Sequence, residues 1–164
     1  MQYGLIIMVS PNWIGRFCAD GKDLGPIVVE KVVDFVAATT GAVASKELFT
    51  VTGLVNCTVI GVCETTDVTG AGSIEVGIAG DTDIFIGTTV GTAIDAGEML
   101  LNATPPTFIK VSDTVPQWIW TNGIDLGYEV SVGTLTAGRI RFYCLYYPLS
   151  TGARVEAAGV NVSL

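Results

Sequence analysis

The residues best suited to chemistry are acidic. Asp81-x-Asp83, with Asp95 and Glu98, is the densest group of oxygen ligands, the donor type that suits Ca²⁺. The D-x-D-x-D-G loop closed by a Glu is absent, so a solvated loop after Gly80 is the expected role. Glycoside hydrolysis needs an acid and a base or nucleophile about 5–9.5 Å apart in a cleft. With 16 Asp and Glu in the chain, sequence spacing singles out no such pair. There is no histidine, which removes the commonest general base, the Ser-His-Asp and Cys-His nucleophile systems and imidazole-bearing zinc sites. Cys18, Cys57, Cys63 and Cys144 show no C-x-x-C spacing. Cys57 and Cys63, six apart on one strand, would lie about 20 Å apart, too far to bridge. The four read as small buried hydrophobes. Gly70-Ala71-Gly72 does not join a strand to a helix, which excludes a nucleotide loop. The expectation is a protein with no catalytic residue, no cofactor and no metal.

Other residues suit binding. Trp118 and Trp120 are two apart, hence on one face of a strand, and with Trp13 could form a sugar-stacking surface. Core or interface packing is the commoner use of such residues. Tyr143 and Tyr147 share a strand face. Arg139 and Arg141 share a face opposite Ile140 and Phe142. They fit either an edge-strand charge that discourages aggregation or an ion pair to an acidic neighbour across a subunit contact.

These residues must be positioned by strands. Val, Thr and Gly dominate, and helix-type composition is nearly absent. Short apolar or alternating runs predict strands at Gly4 to Val9, Ile27 to Val36, two within Glu47 to Thr66, Ser73 to Ile78, Ile84 to Val90, Glu98 to Leu101, Phe108 to Val111, Gln117 to Trp120, Leu126 to Leu135, Arg139 to Pro148 and Arg154 to Val162. Thr69-Gly70-Ala71-Gly72 and Thr136-Ala137-Gly138 read as tight hairpin turns. The stretches Val62 to Ile78 and Tyr128 to Leu145 resemble each other around V/L-T…A-G-x-I, about 66 residues apart, a weak internal repeat. Pro11 to Gly25 and Ala103 to Pro106 read as loops, and Val36 to Ser45 as a crossover between sheets. With 164 residues and no linker, the chain is one domain, 1–164. Residues 1–26 form an N-terminal strand-and-loop arm that could be exchanged between subunits. The predicted fold is all-β, a two-sheet antiparallel β-sandwich of jelly-roll kind.

The net charge is −8, with 49% hydrophobic and 15% charged residues, and mean hydropathy is +0.55. Disorder is excluded, nucleic acid has no basic face to bind, and an anionic membrane surface is not attracted. No run of about 18 apolar residues could form a spanning helix. Leu5 to Val9 is too short for a signal-peptide core and has no basic residue before it, so synthesis in the cytoplasm is expected. The apolar excess suggests that other subunits cover part of the surface.

The run from Phe49 to Ser150 resembles small virion structural proteins of tailed bacteriophages. The shared pattern is V-T-G, a V-I-G-V strand, T-G-x-x-S-I-x-V-G-x-A-G, T-A-I-D-A-G-E, and an aromatic strand followed by P-L-S. Proteins of this kind are similar to capsid decoration (cement) proteins, β-sandwiches that sit outside the head, often as trimers, and bridge neighbouring major capsid proteins. That resemblance implies no enzyme activity. It implies the major capsid protein and a homotrimer as partners, and a place on the outer capsid surface after synthesis in the host bacterium. Tyr3, Leu5 and Ile7, in an arm that could add to a neighbour's sheet edge, are expected to bind partners. So are Trp13, Arg16, Arg139 and Arg141. A glycan- or receptor-binding β-sandwich of a tail or head fibre is the alternative, and a secreted glycan-active enzyme a third class. Buried Trp118 and Trp120 would favour the capsid role, and a solvent-facing pair beside bound Ca²⁺ the alternative.

Overall fold

The computed structural model describes residues 25–101 and 117–159. The predicted strands at residues 4–9 and 108–111 lie outside them. So do Tyr3, Leu5, Ile7, Trp13, Arg16 and Cys18, the 103–106 loop, nearly all of the 11–25 loop and the last residues of the final strand.

The described chain is all-β apart from one 3-10 turn at Gly91–Ala93. Its strands are β1 (Ile27–Asp34), β2 (Ala44–Thr52), β3 (Leu54–Cys63), β4 (Thr69–Gly70), β5 (Ser73–Ile78), β6 (Asp81–Val90), β7 (Met99–Leu100), β8 (Ile119–Asn122), β9 (Leu126–Ser131), β10 (Leu135–Ala137), β11 (Arg139–Pro148) and β12 (Arg154–Ala157). Sheet I has the order β1-β11-β3, with β7 and β8 both paired to β3. Sheet II has the order β12-β2-β9-β5-β6, and β4 pairs with β10 in a small ribbon. All these pairings are antiparallel.

Alternation explains the layering. On β11, Ile140, Phe142, Cys144 and Tyr146 point inward, while Arg139, Arg141, Tyr143, Leu145 and Tyr147 point outward. Across the core, the Phe142 ring of sheet I stacks on the Tyr128 ring of sheet II, with centroids 6.2 Å apart and planes at 12°. Phe35 meets Tyr128 edge-on. Phe49, Leu48, Ile74, Leu126 and Val59 fill the space around them. The predicted two-sheet antiparallel sandwich is therefore present.

Two expected hairpins are not. The strands on either side of Thr69 to Gly72, β3 and β5, lie in different sheets, and so do β9 and β11 on either side of Thr136 to Gly138. The glycine-bearing segments are corners. Residues 55–78 run antiparallel to residues 126–148 through sheet I, around the corner and through sheet II. The pairs are Val55↔Pro148 and Cys63↔Ile140, then Gly70↔Leu135, then Ser73↔Ser131 and Ile78↔Leu126. The segment from β1 to β2 flanks 126–148 on the other side and crosses between sheets where a crossover was expected. Strands that switch sheets do so at bends. Gly70 and Gly138 both take φ of +116°, a backbone conformation open to glycine. At this corner the Thr69 and Thr136 hydroxyls are hydrogen-bonded at 2.9 Å. The predicted strand Leu126 to Leu135 is broken at Val132, whose φ is +66°.

Candidate functional site

The outer face of sheet I gathers most of the singled-out residues that are described. Its corner end is charged. The guanidinium of Arg139 donates to both carboxylate oxygens of Asp34, at 2.5 and 3.1 Å. Arg141 donates from Nε to Glu64 at 2.6 Å and from Nη1 to Glu30 at 2.9 Å. These bonds push both guanidinium pKa values further up, Arg139 through Asp34 and Arg141 chiefly through Glu64. The arginines are not on an edge strand as expected, since β11 lies between β1 and β3. Their acidic partners belong to the same chain.

The opposite end of this face is aromatic and uncharged. Trp120 is 73% exposed, although Ile119 and Thr121 beside it are buried. The strand there begins at Ile119, two residues later than predicted. Trp118 packs its ring against Tyr147 of β11, centroids 5.5 Å apart at 32°. Between them runs β3, where Asn56 is the register partner of both Tyr147 and Trp120. Among the described residues the buried Asn56 Oδ1 has no hydrogen-bond partner, and neither has the Thr58 Oγ1 two residues on. Trp120 is exposed and Trp118 half-buried, so the pair is neither buried as a whole nor solvent-facing as a whole. Sequence reading marked the two tryptophans as binding residues but gave Asn56 no binding role, since it stood out only as the first residue of an N-x-T triplet and as a polar position in an alternating strand. Nothing local linked Asn56 to Tyr147 or Trp120.

The acidic group divides. Asp81 and Asp83 sit at the start of β6, while Asp95 bonds through its backbone N–H to Glu98 near Cys63. Local desolvation and, after it, the neighbouring Asp83 raise the Asp81 pKa. Among the described residues no three His, Cys, Asp or Glu side chains lie close enough to hold a metal ion. Glu75 and Glu129 face each other directly on the outer side of sheet II. Thr82 and Thr88 donate to Glu75, and Ser45 to Glu129. A depression of about 280 Å³ nearby, lined by Gly77, Ile78, Gly80, Gly127 and Glu129, holds Glu129 but not Glu75.

The cysteines within the described residues, Cys57, Cys63 and Cys144, are buried and free. Burial, with Asp67, Glu98 and Asp95 nearby, pushes the Cys63 thiol up to about 11. The hydrogen bond that the Cys144 thiol donates to Cys57, together with burial, raises Cys144.

No family model, curated protein or solved structure matches the chain.

Proposed function

We propose that this protein is a non-enzymatic component of a phage virion. It decorates the outer capsid surface, bridges major capsid proteins and associates with itself as a homotrimer. One observation carries the reading. Strand β1 is an edge strand of eight residues in unbroken register with β11, and on its outer face Val28, at 51% exposure, and Val32, at 36%, alternate with Glu30 and Asp34, which the arginines of β11 hold. Edges of this kind invite another chain unless they are blunted. The other long edge, β6, is interrupted by register shifts, and β12 has four residues and carries an Arg154–Glu156 ion pair. Among the described residues β1 pairs with β11 alone. The strand orders also support a jelly-roll reading. β1, β11, β3 and the split β7/β8 position form one four-position sheet, and β2, β9, β5 and β6 form the body of the other, with the short β12 added at its edge. Jelly rolls recur in viral capsid and lectin domains.

A second reading, a glycan- or receptor-binding sandwich of a tail or head fibre, is favoured by the exposed Trp120.

Light scattering of the protein alone, then co-sedimentation with undecorated heads, tests the first reading. A trimer that pellets at stoichiometric levels is the expected result, and deletion of residues 1–9 weakens association while the core stays folded. A monomer that remains in the supernatant overturns the proposal.

A further inference from the structure

We infer that the uncharged end of the outer face of sheet I is a binding site for a neutral pyranose, formed by Trp120, Trp118, Tyr147 and Asn56. The inference rests on the second reading above and gives it a site and a ligand class.

The aromatic groups form a platform. Trp120 stands in solvent on a strand whose alternate residues are buried, so its exposure follows from the strand's facing rather than from a loose end. Trp118 and Tyr147 hold each other in a fixed, tilted pair, which lowers the ordering cost of receiving a flat ligand. Indole and phenol rings present an apolar face with a polar tip. The C–H face of a pyranose is apolar and flat, and its rim carries hydroxyl groups.

The polar groups distinguish this surface from a plain apolar patch. Asn56 lies on the strand between Tyr147 and Trp120, directly opposite each. Its Oδ1 is an acceptor shut off from water and left without a donor. Thr58, on the same face and 3% exposed, has an unpartnered hydroxyl as well. Unsatisfied buried polar atoms are rare in folded proteins, and each calls for a partner. Asn56 itself is half-buried, and the final torsion of its carboxamide is soft, so rotation can carry Oδ1 toward a ligand seated over β3. The partner it requires is a donor, and a sugar hydroxyl supplies one.

The charges decide the ligand's class. The two arginines of this face lie six and eight residues from Tyr147 along β11, about 20 Å or more away. Glu30, Asp34 and Glu64 already hold them. Among the described residues no cationic side chain is left beside the aromatic groups to select a carboxylate or sulfate, so the ligand proposed is uncharged.

The full chain is first screened on an array of neutral, sialylated and sulfated oligosaccharides. Tryptophan fluorescence is then titrated with the strongest neutral binder. Saturable binding to neutral glycans is expected, weakened about tenfold by Trp120→Ala and largely retained by Trp120→Tyr. Asn56→Ala is expected to weaken binding while the urea midpoint stays at or above that of the parent, because the substitution removes an unsatisfied buried oxygen. If no glycan binds, the inference and the second reading both fall. If glycans bind with undiminished affinity to Trp120→Ala, the inference falls and the reading stands with its site elsewhere. Capture of anionic glycans alone overturns the neutral ligand. Loss of head co-sedimentation by Trp120→Ala, without any glycan binding, makes this face a protein contact and overturns the inference.

Discussion

At the residue scale, Cys63 shows how the fold keeps a thiol inert. Its side chain is buried, and its Sγ lies 3.3 Å from the Thr66 carbonyl oxygen, to which it donates. Burial and three surrounding carboxylates favour the neutral thiol, which places its pKa at about 11 rather than the ordinary 9.0. The folded value lies above the unfolded one, so between those pH values the unfolded chain gives up a proton that the folded chain keeps. The contribution to stability is complete below pH 9 and is lost as pH rises through about 11. Burial also raises Tyr128, whose hydroxyl donates to the Thr40 carbonyl at 2.9 Å, and this adds to the loss at alkaline pH. The urea midpoint is therefore expected to fall between pH 8.5 and 10.5, and Cys63→Ala should make that fall shallower. Equal midpoints at the two pH values in the parent would contradict this account.

At the element scale, the corner between the sheets is the feature on which the fold turns. Three segments cross it side by side, tied by backbone bonds from Phe35 N–H to Gly138 O at 2.9 Å, Leu135 N–H to Gly41 O at 2.9 Å and Glu64 N–H to Arg139 O at 3.0 Å. So close a crossing leaves no room for side chains. A Cβ on Gly138 would stand 2.7 Å from the Cα of Val68, and φ of +116° is unfavourable for any other residue. Gly138→Ala is expected to destabilise by about 2 kcal/mol or more, from strain and overpacking together. Gly152, at φ of +76° with nothing near its Cβ position, is the control. Gly152→Asn should change stability little, because Asn tolerates the left-handed region. Urea denaturation of both variants measures the contrast, and a similar cost at the two sites would show that the corner is not tightly packed.

At the scale of the whole molecule, the surface divides into regions of different character. Sheet II shows solvent carboxylates and threonine hydroxyls around Glu75 and Glu129. Sheet I shows valines along β1, a self-neutralised charge cluster and an aromatic end. With a net charge of −8, copies of the chain repel one another at low ionic strength, so an apolar contact along β1 should persist when salt screens that repulsion. Self-association is expected to hold or strengthen on going to about 1 M NaCl, where the screening length is about 3 Å. Val28→Lys with Val32→Lys should shift the protein toward monomer without lowering its urea midpoint, because both side chains already face solvent. Analytical ultracentrifugation reads both effects. Dissociation by salt, or an oligomer indifferent to the two lysines, would move the contact away from β1.

The sequence alone determined the class of fold and much of its strand layout. Ser73–Ile78 and Arg139–Pro148 were legible to the residue, because alternation of period two is a local property that one strand can display by itself. The same alternation placed Arg139 and Arg141 opposite Ile140 and Phe142. Pairing was not legible. Glycine at positive φ serves a hairpin and a corner equally, so Gly70 and Gly138 could not say whether the strands beside them join each other or separate into two sheets. Only the tertiary structure put Asp34, Glu30 and Glu64 around the arginines, and Asn56 between Tyr147 and Trp120. Those neighbours are set by long-range register, which many competing alignments of similar Val-, Thr- and Gly-rich strands would satisfy locally. The choice among them is made by the packing of the whole core.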